Sequence, residues 1–416
     1  MAHWFHRNPL KSSKTAKFEL KQVITNSDSS KICSELRLRR EQLLDILTSA
    51  SASVDLVESE FEYYLKLLYG FVFDLESQEK NSKLRYLGKF TWTHSMLGGD
   101  GYQSSDSWYE VLNMVSNIAI WYMKRSAFLS SSDEVSDFDS KNIHTALRKA
   151  AGLFEYVSQN ADKVGIIPQA TGNDLDARVL TAYKQQCLAE AQEITIARAI
   201  ELKHSSKLIY SLANQTSKVY EECCSCLDGL DPNTFEKWRK YFELKKEFYL
   251  SYAYAYLCEH LLSNDECGKA IRACQEGQDH YKTSASLCVQ YAKSSGPGFV
   301  AKPEDHLFFR RIDPILVRHM DKARRENDFI YHQSVPSECP SFEAEAEFGL
   351  ASKIDFNYPP RAEIWTNLSY KAFDITKSDT PDFKPPQKIG KIPLVKEKKV
   401  YETDRDPSNL SGCTIS

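Results

Sequence analysis

Apolar residues recur along most of the chain at steps of three and four. Between Val54 and Leu68, the positions Val54, Val57, Phe61, Leu65 and Leu68 fall on one helical stripe, with acidic residues on the opposite face. From about Ser105 to Asn327 the same period predicts helix after helix. Trp108, Val111, Leu112, Val115 and Ile118 mark one. Leu147, Ala150, Phe154 and Val157 mark the next, after the polar break Ser130 to Ser140. One long helical stretch is then expected from Leu175 through Leu188, Ile194, Leu208 and Leu212. Asp231-Pro232 is a start signal, a capping carboxylate followed by proline at the first helical position. The helix it opens carries Phe235, Trp238, Phe242, Tyr249 and Tyr252, and its successor carries Ala270, Cys274, Gly277, Ala285 and Cys288. Large residues facing small ones predict close antiparallel hairpins of the tetratricopeptide kind, without a strict repeat. A further helix is expected over Asp305 to Asn327. Phe18 to Ile24 and Leu84 to Trp92 have strand character and predict a small antiparallel sheet near the N-terminus.

The fold class expected is therefore mostly α. Composition agrees: 416 residues contain 16 glycines and 15 prolines, and nine of those prolines follow Val335. After that point Phe348, Leu350, Ile354, Phe356, Ile364 and Trp365 are expected to drape over the helices to about residue 375. A helical domain over 1–376 and a flexible Lys- and Pro-containing tail over 377–416 follow. The formal net charge of -4 supplies no global basic field, so nucleic acid is not expected as a partner. No apolar run is long enough for a transmembrane helix. Eleven irregularly spaced cysteines without a secretory leader predict reduced thiols and a cytoplasmic setting.

Candidate chemistry is sparse. Gly98-Gly99-Asp100-Gly101 lacks the third glycine of a dinucleotide-binding turn, and no HExxH or GxSxG motif occurs. Cys223-Cys224-Ser225-Cys226 holds a CxxC spacing, but no second pair supplies the other zinc ligands, so helix-end packing is the expected role. A non-enzymatic protein with no cofactor and no metal is expected. A thiol or zinc enzyme built on Cys223 and Cys226 is the competing expectation from another class.

The last four residues, Cys413-Thr414-Ile415-Ser416, match a C-a-a-X prenylation motif with serine in the position that selects farnesyl transfer. They imply a farnesyl-type protein prenyltransferase as a partner, Cys413 as the lipidated residue, and peripheral attachment to a membrane surface. One prenyl chain anchors weakly, so a second signal is expected. Lys388, Lys391, Lys396, Lys398 and Lys399 are candidates for it, although Asp404 and Asp406 dilute their charge.

Three segments carry a resemblance: Gly88-Lys89-Phe90-Thr91-Trp92 with Trp108 to Tyr122; Leu188-Ala189-Glu190-Ala191-Gln192-Glu193 with Leu212-Ala213-Asn214-Gln215; and Asn327-Asp328-Phe329-Ile330-Tyr331-His332 with Val335-Pro336. In this order, across roughly residues 5 to 375, the chain resembles the BRO-domain family of Alix-like ESCRT accessory proteins. The resemblance implies a boomerang-shaped helical domain with tetratricopeptide-like hairpins and a small sheet. It also implies an adaptor that binds the C-terminal helix of ESCRT-III charged multivesicular body subunits in a hydrophobic groove, at endosomal or nuclear-envelope sites.

Carried over by the motif, the family's two aliphatic groove positions fall on Leu208 and Leu212, four apart on one helical face. Taken by themselves, these two would be ordinary core. A third position, aromatic in Alix, is Thr195 here, with Ile194 or Ile196 as neighbours that compensate. Asp137 and Lys141 match the acidic and basic groove rim, and Thr145 replaces a second basic residue. Phe348 and Leu350 are candidates for an extra pocket on the same face. Leu212→Asp is expected to abolish tail binding without altering the fold. The Thr195 and Thr145 departures leave open a helical scaffold for a different cytoskeletal or nuclear-envelope partner.

Overall fold

The computed structural model describes residues 3–16, 18, 20, 22–76, 80–131, 135–165, 170–298, 301–342, 346, 349–378 and 384–398. Eleven α-helices are assigned among these residues: α1 Ser27–Leu47, α2 Val54–Val72, α3 Ser107–Ser130, α4 Asp137–Asn160, α5 Ala177–Glu201, α6 Ser206–Cys226, α7 Pro232–Ser263, α8 Cys267–Lys293, α9 Leu307–Arg310, α10 Ile312–Glu326 and α11 Asn367–Lys371. Helices α3 to α8 pack each on its neighbour in sequence, so the hairpin stack expected from the pattern forms. Trp238, Phe242, Tyr249 and Tyr252 of α7 are buried, as are Ala270, Cys274 and Gly277 of α8, whose small side chains allow the two helices to pack closely. A methyl on Gly277 would stand 3.2 Å from Tyr254 Cβ, which is why the small residue sits there. Ala285 is exposed instead, and the neighbouring Ser284 is the buried residue.

Four expectations need correction. The long stretch from Leu175 to Leu212 is two helices, α5 and α6. The turn between them contains Lys203 in the left-handed region at φ 54°, and the Ser205 side chain caps α6 by accepting from the Leu208 N–H. Neither signal is a glycine or proline, so periodicity ran straight through the turn. Helix α1 escaped notice because Arg40 occupies a buried position on its apolar stripe. Its guanidinium meets Glu110 at 2.8 Å, and Glu110 also accepts from Tyr64 (2.8 Å) and the Trp92 indole (2.7 Å).

The third correction concerns the sheet. Phe18 to Ile24 contributes no strand among its described residues; Ile24 makes one isolated bridge to Phe373. The strands are β1 Phe90–Trp92, β2 Asp100–Ser104 and β3 Gln387–Lys391, in the antiparallel order β1-β2-β3. Its third strand thus comes from the region expected to be a flexible tail. Fourth, then, residues 384–398, expected within a flexible tail, pack on the domain.

The N-terminal residues 3–16 thread through the helical core. Trp4 is 1% exposed and lies under Lys245, whose Nζ is 3.7 Å from the indole centre. Among the described residues no helix is long and apolar enough to cross a membrane.

Candidate groove formed by α4, α5 and α6

The first turn of α4, the last turns of α5 and the first turns of α6 converge on a cavity of about 490 Å³. Ser136 caps α4 by accepting from the Asp139 N–H, which places Asp137 and Lys141 on successive turns at the rim. Ile194, Thr195, Leu208 and Leu212 line the interior, so six of the seven groove residues read from the sequence meet in one place. The seventh, Thr145, is exposed and lies off the cavity; His144 takes its place in the wall. Desolvation lowers the His144 pKa below that of free imidazole, with the nearby Arg148 charge acting in the same direction.

The floor is not uniform. Leu208 is half-buried and Ile194 is 5% exposed, whereas Leu212 is 1% exposed and belongs to the main core. A stretch of the chain's own backbone covers it. Gly349, at φ +80°, sits over Leu212 and Thr195, a conformation that favours glycine. Gln192 holds this stretch at two points: its amide donates to the Gly349 carbonyl at 2.9 Å and its oxygen accepts from the Ala351 N–H at 2.7 Å. The Ile354 N–H donates to the Arg148 carbonyl at 3.0 Å. Leu350 is 49% exposed next to the groove but is not among its lining residues, and Phe348 lies outside the described residues.

Charge at the rim is redistributed by a residue that the sequence reading missed. Arg198 on α5 reaches Asp137 at 2.6 Å and Glu201 at 3.1 Å. Asp137 is therefore already engaged, and Lys141 remains as an exposed cation on the α4 side. Leu202, 56% exposed, also lines the cavity. Thr195, Arg198 and Leu202 follow each other at steps of three and four, so continuing the helical face from Thr195 would have found both.

Within the segments that carried the resemblance, Glu190, Glu193 and Asn327 are framework residues. Glu190 binds Arg7 at 2.8 Å and accepts from Tyr241 at 2.7 Å. Glu193 binds Lys245 at 2.7 Å and accepts from Tyr220. Asn327 exchanges two hydrogen bonds with the Gln333 backbone, each 2.9 Å, closing a π-turn over Asn327–Tyr331. These buried pairs leave no unpaired charge and fix how α5, α7 and the N-terminal thread meet.

A family model described as BRO1-like domain matches residues 7–368. The chain belongs to the BRO1-like domain family. A BRO1 domain-containing protein BROX homolog from Caenorhabditis elegans is 44% identical over 427 residues, covering 100% of both chains. The human BRO1 domain-containing protein BROX is 40% identical over 382 residues, covering 92% of this chain and 93% of the relative. Among solved structures, an ALIX BRO1 CHMP4C complex superposes with a TM-score of 0.59 at 18% identity, covering 87% of this chain and 97% of the other. That likeness shows the shared fold, and the α4–α6 groove is part of the family's domain in this chain.

The CxxC segment offers little reactivity. Cys223 is buried at the end of α6 and its thiol is pushed well above its ordinary value by burial. Burial also pushes Cys224 up to about 12. Nucleophilic or zinc-bound cysteines need the opposite shift. Among the described residues no group of histidine, cysteine or carboxylate side chains is placed to hold a metal ion.

Proposed function

We propose that this chain is an adaptor which takes an amphipathic helix, the C-terminal tail of an ESCRT-III charged multivesicular body subunit, into the α4–α5–α6 groove. The observation that carries this reading is the juxtaposition of an aliphatic floor (Ile194, Leu208, Leu212) with the exposed Lys141 at its rim, on residues that the family motif had singled out. A helix presenting apolar anchors at three- and four-residue spacing fills such a floor. Its acidic residues meet Lys141, while Arg198 screens Asp137. The family relationship, and the complex of a BRO1 domain with CHMP4C among its structural neighbours, support the choice of partner. Thr195, where Alix has an aromatic, widens the seat and favours a bulkier anchor on the partner.

The second half of the reading is a lipid tether. Cys413, outside the described residues, is assigned as the farnesylated residue on the strength of its C-a-a-X setting, with a farnesyl-type prenyltransferase as the modifying partner. The chain is then peripherally attached to the membranes on which ESCRT-III assembles, from the cytoplasmic side. Titration of tail peptides against the full chain tests the groove, and saturable binding is expected. Fractionation of cells expressing Cys413→Ser tests the tether: the variant should move from membranes to cytosol with tail binding unchanged. Equal membrane association of variant and parent would remove the lipid from the mechanism.

A further inference from the structure

Residues 384–398 run along the domain as a docked strap. Strand β3 pairs with β2, Ile392 is 5% exposed, and its N–H donates to the Gly99 carbonyl at 2.7 Å. Further on, the Lys398 N–H donates to the Thr48 carbonyl at 2.9 Å, beside the α1–α2 turn. The one carboxylate in this segment points inward: Glu397 meets Lys124 at 2.8 Å and accepts from the Leu10 N–H at 3.1 Å. What the strap turns outward is therefore of one sign. Lys384, Lys391, Lys396 and Lys398 are exposed, and Lys388 remains 55% exposed while it pairs with Asp100. Ile389 and Leu394, 39% and 53% exposed, are interleaved with them.

We propose that this strap is the surface with which the domain lies on an anionic lipid bilayer. Exposed cations complement the charge of the bilayer, and the interleaved aliphatics suit the boundary between headgroups and acyl chains. The strap also stands 15 residues before Cys413 in sequence. This last point rests on the lipidation reading given above, and it has a quantitative consequence. A free tail starting at Lys377 would reach at most about 120 Å to Cys413, whereas one leaving from Lys398 reaches at most about 50 Å. Shortening a tether in that ratio raises the effective concentration of the domain at the membrane about fourfold. Docking thus holds the sheet side of the domain towards the bilayer.

The test uses the unprenylated full chain, so that lipidation and surface contact are separated. It is sedimented with phosphatidylcholine vesicles, with and without phosphatidylserine, at physiological salt. Phosphatidylserine is expected to raise binding at least about tenfold, since each lysine near such a surface contributes on the order of fivefold. The exposed-site reversal K391E/K396E/K398E should return binding to the level of phosphatidylcholine alone. Hydrogen exchange over residues 387–392 should stay slow on the vesicle. Binding indifferent to phosphatidylserine overturns the proposal. So does binding accompanied by fast exchange over 387–392, which would mean that a released basic tail makes the contact. Neither outcome touches the groove, nor the Cys413→Ser result, so failure here is distinguishable from failure of the adaptor reading.

Discussion

Leu208 is the residue on which the groove can be tested without damage to the fold. Its side chain is half-buried in the free chain, and a bound helix would cover the remainder. Fully burying a leucine is worth about 1.5–3 kcal/mol, so the part still uncovered contributes up to about 1 kcal/mol to binding. Leu208→Asp removes that and sets a carboxylate against the partner's apolar face, a desolvation cost of at least about 1 kcal/mol. The expected sum, about 2 kcal/mol or more, lowers affinity roughly thirtyfold. In the free protein the new carboxylate remains in contact with water, so the melting temperature should fall by no more than a few degrees. Calorimetric titration of the full chain with charged multivesicular body tail peptides, alongside thermal melts, reads both quantities. Affinity within threefold of the parent, in a variant that melts normally, would refute the groove assignment. Leu212→Asp cannot serve this purpose. At 1% exposure Leu212 is core as well as floor, and burying a carboxylate there is expected to cost about 3–5 kcal/mol of stability. Leu212→Asp is therefore expected to lose stability and binding together, contrary to the reading from sequence.

Other consequences can be checked in parallel. Lys141→Glu should weaken tail binding up to about tenfold, chiefly through the association rate, and the effect should shrink as salt is raised. Acid should destabilise the domain before carboxylates titrate. His6 is buried between Tyr291 and Asn8, and desolvation pushes its pKa down to about 3. A histidine depressed in the folded state binds fewer protons than in the unfolded chain. Its stabilisation is complete above about pH 6.5 and is lost as pH falls towards 3, at up to about 1.4 kcal/mol per pH unit. Urea midpoints at pH 7 and pH 5 should differ in that direction, and identical midpoints would contradict the burial argument. Gly152→Ala should lower stability by about 1–3 kcal/mol, because its Cβ would stand 1.8 Å from the Ile354 carbonyl oxygen. Unchanged melting of that variant would mean that the 349–354 stretch moves freely over α4. Glu397→Gln should cost about 1–3 kcal/mol through the contact to Lys124 and speed exchange of the strap amides; an unaltered exchange pattern would separate Glu397 from strap docking.

The helical class was legible in the amino-acid pattern alone, because burial of an apolar stripe has a period that is written locally. Val54 to Leu68, the aromatic face of α7 and the cap at Asp231-Pro232 needed no knowledge of the rest of the chain. The residues proposed for the groove could also be named from the sequence, since Leu208 and Leu212 follow a motif at fixed spacing, and the structure brings them together with Ile194, Thr195, Asp137 and Lys141 around one cavity. Tertiary structure decided what depends on partners distant in sequence. Arg40 is a core residue only because Glu110 meets it, and a charge on a helix gives no local sign of a buried counter-ion. The break between α5 and α6 rests on one strained backbone position and one serine cap, both weaker than the periodicity that surrounds them. Gln192 could not announce that it would pin Gly349 and Ala351 over Leu212. Above all, a polar, proline-containing segment with few apolar residues reads as a free tail. It becomes strand β3 because β2 offers an open row of backbone donors and acceptors, and pairing satisfies groups that would otherwise remain in water. Backbone complementarity of that kind carries no side-chain signature, which is why it could appear only once the chain was folded.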